Sequence, residues 1–226
     1  MHTWRTATIV VAGLLAGATL AASAAAGGVT PHRIADSFRG QTIDSNVWAW
    51  WGTNQPDQVA IDQSGGSLDV DIGAGAQPDF NASGETRCLA HGDFDTRVDF
   101  NLADWPARNG VWVSLMIGGT AFNAYRVSWQ FDPSEAYGGY LPPAGTSLPA
   151  SDRSGTLRLT RRGELITAYY LAGRDWIPIV SGTGPAEDVP FSLAVFNLSN
   201  VATFAAQPMT VSFDNFRVVA DAVTCP

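Results

Sequence analysis

Arg126, Ser128 and Gln130 recur at every second position of "AYRVSWQF", so an extended backbone sends all three out on one side. A guanidinium, a hydroxyl and a carboxamide on one face are groups that bond sugar hydroxyls. The stretch "GVWVSLMIG" alternates in the same way, setting Val111, Val113, Leu115 and Ile117 against Trp112, Ser114 and Met116. Pairing the two stretches as a hairpin, apolar side to apolar side, predicts a core face that carries Tyr125, Val127 and Trp129 with the four aliphatic residues. The opposite face then collects Trp112 and Ser114 with Arg126, Ser128 and Gln130. A tryptophan on a polar sheet face needs a cover. That cover is either a ligand, with a sugar ring laying its C–H face on the indole, or the downstream segment "YLPPAGTSLPA" folded back.

The same residue types admit an elimination chemistry. A uronate carboxylate must be relieved of charge before its α-proton becomes acidic, and a positioned base must then take that proton. Arg126 and Gln130 suit the first role, and Tyr137 and Tyr140 of "EAYGGY" suit the second, with His91 elsewhere in the chain. Hydrolysis by paired carboxylates has less to draw on. The glutamates are Glu85, Glu135, Glu164 and Glu187, far apart in sequence, and the alternating acids Asp69/Asp71 and Asp93/Asp95 read as solvated strand positions.

The elements that must hold these residues are strands. "GSLDVDIG", "DFDTRVDFNL", "GTLRLTRRG", "LITAYYL", "PFSLAVFNL" and "MTVSFDNFRVV" all carry one apolar face, and "QSGG", "ADWPARNG", "GGTAFN" and "SGTGPAEDVP" punctuate them as turns. Nothing has the period of a long amphipathic helix. The predicted fold is all-β, a two-sheet antiparallel sandwich built as one domain over residues 27–226. With 46% hydrophobic and 15% charged residues in 226, the chain can bury one sizeable core. Trp50 and Trp51 are neighbours, so at most one of them faces inward if that segment is extended.

Residues 1–26 read as a cleaved secretory signal: one arginine, a short apolar run and A-x-A ends at Ala22-Ser23-Ala24 and Ala24-Ala25-Ala26. The expectation is a secreted monomer without a membrane span. The basic residues are all arginine, 13 against 21 acids, and setting Arg5 aside leaves a net charge of about −9. That balance argues against nucleic acid and anionic membranes as partners, unless an arginine patch overrides the average locally. In an exported chain, Cys88 and Cys225 are most simply a disulfide, whose long loop is worth about 4–5 kcal/mol in the chain-entropy model.

Four stretches in order, "ADSFRGQTIDSNVWAWWG", "GDFDTRVDF", "GTLRLTRRGELITAYYLAGRDW" and "VSFDNFRVV", resemble the concanavalin A-like lectin/glucanase superfamily, in particular its laminin-G-like and bacterial secreted branches. The resemblance runs over residues 36–219 and implies a jelly roll. The best-known hydrolases of that superfamily carry Glu-x-Asp-x-x-Glu on a concave strand, and this chain has no such spacing. The resemblance also implies pairing of the terminal strands, which brings Asp36 and Asp214 together as candidate ligands of a structural Ca²⁺. "NAS" at Asn81 and "NLS" at Asn197 match the glycosylation sequon.

The expected role is therefore non-catalytic binding of a polysaccharide or glycan, through Trp112, Ser114, Arg126, Ser128, Gln130, Tyr137 and Tyr140. A polysaccharide-active enzyme, lyase before glycoside hydrolase, is the alternative, and a structural or protein-interaction module is the third reading.

Overall fold

The computed structural model describes residues 32–63, 65–118, 120–197 and 207–226. The leader expected over residues 1–26 lies outside them, as does the remainder of the sequon that follows Asn197. The described strands form two antiparallel sheets, the jelly-roll sandwich expected from the alternation. The eight-stranded sheet runs β13 (Asp175–Thr183), β12 (Leu165–Ala172), β11 (Ser154–Arg162), β6 (Leu89–Ala103), β15 (Met209–Thr224), β4 (Leu68–Ile72) and β3 (Val59–Asp62), with β1 (His32–Asp36) also on β15. The seven-stranded sheet runs β10 (Ala144–Pro149), β9 (Glu135–Leu141), β8 (Asn123–Ser128), β7 (Val111–Ile117), β14 (Phe191–Asn197), β5 (Asn81–Thr86) and β2 (Trp48–Thr53).

The core lies between the sheets because each strand sends its alternate residues there. Val111, Val113, Leu115 and Ile117 of β7 are fully buried, and so are Phe191, Leu193 and Val195 of β14. They meet Phe94 and Val98 of β6 and Val211 and Phe213 of β15. Phe94 and Phe191 join the layers edge to face at 5.0 Å. Each such side chain stabilises by about 1.5–3 kcal/mol through area removed from water.

Two further devices fix how the sheets close. Trp48 packs against Phe38, Trp51 and Phe216, and its indole N–H donates to Asp36 Oδ2 at 2.8 Å, which ties β2 to the end of β1. The disulfide forms between Cys88 and Cys225, 137 residues apart, and staples the end of β15 to the start of β6. The segment "YLPPAGTSLPA" does not fold over a sheet face. It makes the β9–β10 hairpin and extends the seven-stranded sheet at its edge.

Candidate active site

A cleft of about 580 Å³ runs along the outer face of the seven-stranded sheet. Its floor follows from the strand register. Glu85 of β5 stands between Trp50 of β2 and Ser192 of β14, and Ser192 pairs with Met116 of β7. One step along the strands the row is Ser83, Ala194 and Ser114, and the next is Asn81, Phe196 and Trp112. The cleft is thus polar along β5 and mixed along β14, where Ala194 and Phe196 lie between Ser192 and Asn197, with Trp50 at its edge, 49% exposed.

Glu85 is the carboxylate on the floor of this cleft. It is half-buried and accepts a hydrogen bond from Ser192 Oγ at 3.3 Å. A side chain at Gly118 would come within 2.4 Å of Glu85 Oε2, so the bare glycine gives the carboxylate its place. Asp79 is the other acid lining the cleft. It stands at the other end of the cleft: Asn81 and Glu85 are separated by roughly 13 Å of strand, and Asp79 precedes Asn81 in the chain. Paired glycosidase carboxylates need roughly 5–9.5 Å. Among the described residues the cleft therefore offers Glu85, flanked by an aromatic ring and by hydroxyls, with Asp79 at its other end.

The expected ligand face is divided between the two sides of the sheet. In the observed register Trp112 pairs with Val127, Val113 with Arg126 and Ser114 with Tyr125. Tyr125 and Val127 therefore share the outer face with Trp112, while Arg126 and Ser128 point into the sandwich, the reverse of the expected arrangement. Arg126 is fully buried. Its guanidinium donates to Val127 O at 2.7 Å and Asp152 O at 3.1 Å, and pairs with Glu135. Tyr137 lies beside it, stacked on Tyr170 at 4.2 Å, so burial holds its hydroxyl protonated well above the usual tyrosine range. Gln130 lies past the end of β8, its amide nitrogen buried. Trp112 has a cover, but it is neither ligand nor hairpin: Tyr125 at 4.4 Å, Trp129 at 5.2 Å and Phe196 at 5.9 Å surround the ring. Ser114 is fully buried in that face, and Tyr140 remains 42% exposed on it.

The lyase residues do not converge. Arg126 and Tyr137 are between the sheets, and His91 is on β6 of the other sheet, where Nδ1 meets Asp188 and Nε2 meets Thr224 Oγ1, each at 2.7 Å. The calcium pair does not fit a hard cation, which takes 6–8 oxygen ligands. Asp36 gives Oδ1 to the Phe38 N–H at 2.7 Å and Oδ2 to Trp48, and Asp214 Oδ1 accepts the Asn215 N–H at 2.6 Å. No group of three His, Cys, Asp or Glu side chains suited to a metal ion occurs among the described residues.

The cleft residues were open to the same parity argument. "NASGET" places Asn81, Ser83 and Glu85 at alternate positions, a polar stripe on one face. Trp50 comes to the outer face because the β2–β5 pairing shifts register between Trp48 and Trp50, which no alternation rule gives.

No family model and no curated protein sequence matches the chain. Solved structures do. One comes from work on endo-acting O-glycanases that members of the human gut microbiota express to initiate mucin breakdown: 14% identity, 83% of this chain, 98% of that chain, TM-score 0.57. The β-glucanase of Bacillus licheniformis is 12% identical over 84% of this chain and 99% of its own, TM-score 0.53. A putative β-glucanase of Mycobacterium abscessus is 13% identical over 82% and 98%, TM-score 0.54. The expected role of non-catalytic glycan binding is corrected on two grounds. Its central residues, Arg126 and Ser128, face the core, and most of the similar solved structures are named for glycan-cleaving enzymes. The chain has the concanavalin A-like jelly-roll fold of these glycanases.

Proposed function

We propose that this protein is a secreted polysaccharide-active enzyme that seats a glycan chain along the outer face of the seven-stranded sheet. In this reading Glu85 moves the proton of glycosidic cleavage. The observation that carries it is Glu85 itself, a half-buried carboxylate on the floor of an open cleft, held by Ser192 and flanked in register by the exposed ring of Trp50. A glycosidic oxygen leaves poorly as an alkoxide, and a positioned carboxylic acid protonates it while water supplies the new hydroxyl. Trp50 gives a sugar ring an apolar platform, and Asn81, Ser83 and Ser192 give its hydroxyls partners. The glycanase names of structures with this fold support the substrate class. The leader-like residues 1–26 and the disulfide support export.

The test is reducing-sugar release from a panel of β-glucans and mucin-type glycans. The reading expects product from at least one of them, with Trp50→Ala raising KM about tenfold and leaving kcat within about threefold. New reducing ends accompanied by absorbance at 235 nm from unsaturated products would replace hydrolysis with elimination. No product on any glycan would overturn the reading.

A further inference from the structure

On the opposite face of the sandwich, three arginines stand side by side on neighbouring strands. Arg158 of β11 pairs in register with Arg97 of β6, and Arg97 with Arg217 of β15. Arg158 is neutralised by Asp95 and lies against the rings of Tyr169 and Trp176. Arg97 and Arg217 have no carboxylate within ion-pair distance among the described residues, and neither does Arg33 of β1. All three line one cavity of about 220 Å³.

Like charges directly opposite on paired strands are destabilising, and a chain with 21 acids has the means to offset them. The two acids that line the cavity, Asp99 and Asp36, are instead engaged elsewhere. Asp99 gives Oδ1 to the Thr156 hydroxyl at 2.6 Å and Oδ2 to the Asn215 amide at 3.0 Å. Asn215 reaches it because β15 is bulged between Asp214 and Arg217, with Asn215 at φ 51°. The same bulge sets Phe216 into the core and Arg217 onto the surface beside Arg97. Asp36, the other carboxylate of the cavity, is held by Phe38 and Trp48. Three free guanidinium forks thus face the corner where a cation site was expected, and its net charge is positive.

We propose that this cavity is an oxyanion site that takes a sulfate ester group of an acidic polysaccharide. Guanidinium groups bond sulfate oxygens through paired N–H donors, and three of them reaching in from three strands match an anion with several acceptor oxygens better than any neutral sugar. The site lies on the other sheet from the Glu85 cleft, so it stands or falls independently of the proposed catalysis.

The test compares binding of dextran sulfate and of plain dextran to the wild type, to Arg97→Gln/Arg217→Gln, and to Arg162→Gln, an exposed arginine remote from the cavity. We expect the wild type to prefer dextran sulfate, the double variant to lose at least tenfold in affinity, and Arg162→Gln to bind as the wild type does. Inorganic sulfate is expected to compete and to raise the wild-type Tm above that in chloride at equal ionic strength, with no such rise in the double variant. Because the double substitution removes like-charge repulsion, its own Tm should be no lower than the wild type's. Equal binding by the wild type and the double variant, or equal loss in Arg162→Gln, would overturn the site.

Discussion

Arg126 and Glu135 form an ion pair on adjacent strands inside the sandwich, with the arginine side chain fully buried and the glutamate 9% exposed. Arg153 closes on the same Glu135 oxygen at 2.7 Å from the solvent side. A buried charge that loses its partner costs far more than the pair contributes. Arg126→Ala should therefore lower the unfolding free energy by about 3–5 kcal/mol in urea titration, whereas Arg126→Met/Glu135→Leu, which removes both charges and fills the space, should cost little. A surface arginine engaged with ligand would show the reverse order, with stability untouched and binding lost.

Tyr137 and Tyr125 should make the protein sensitive to alkali. Burial raises both hydroxyls above the ordinary value of 10.0. Between the unfolded and the folded pKa the native state holds more protons, so stability falls as pH rises. Their contribution is complete below about pH 10 and is lost progressively above it. Thermal unfolding followed from pH 8 to 11 should show that decline, and Tyr137→Phe should flatten it.

Gly138 should resist even one methyl group. A Cβ there would sit 2.1 Å from the Tyr125 ring, which lies across β9 on its way to Trp112. Gly138→Ala should cost about 1–3 kcal/mol and displace the Tyr125–Trp112 contact, seen as a changed near-ultraviolet circular dichroism band.

Much of the fold was legible in the sequence because one-sided alternation is its direct imprint. Parity alone places Val111, Val113, Leu115 and Ile117 in the core, and there they lie. The same rule inverted β8, where all six residues are buried and both faces are covered. On such a strand, alternation separates the two sides without telling inside from outside. The apolar side, Tyr125 and Val127, lies under the aromatic group on the outer face, and the polar side went inward because Glu135 meets Arg126 there. That pairing depends on the β8–β9 hairpin register, which composition does not carry. Glu85 is one of four glutamates in the sequence, but its neighbours Trp50 and Ser192 come from strands 35 and 107 residues away.

Chelation should leave the fold unmoved. Asp36 is occupied by N–H donors rather than waiting for a cation, so EDTA should not change the Tm. A fall of several degrees, restored by Ca²⁺ and not by Mg²⁺, would require a calcium site that these residues do not form.

The most direct measurement is the turnover of Glu85→Gln on whichever glycan the wild type cleaves. The side chain keeps its size and its contact with Ser192, and loses only the transferable proton. A fall in kcat of at least 100-fold, with KM and Tm close to wild type, is the expected result. Undiminished turnover in Glu85→Gln would contradict the assignment of this cleft as the site of cleavage.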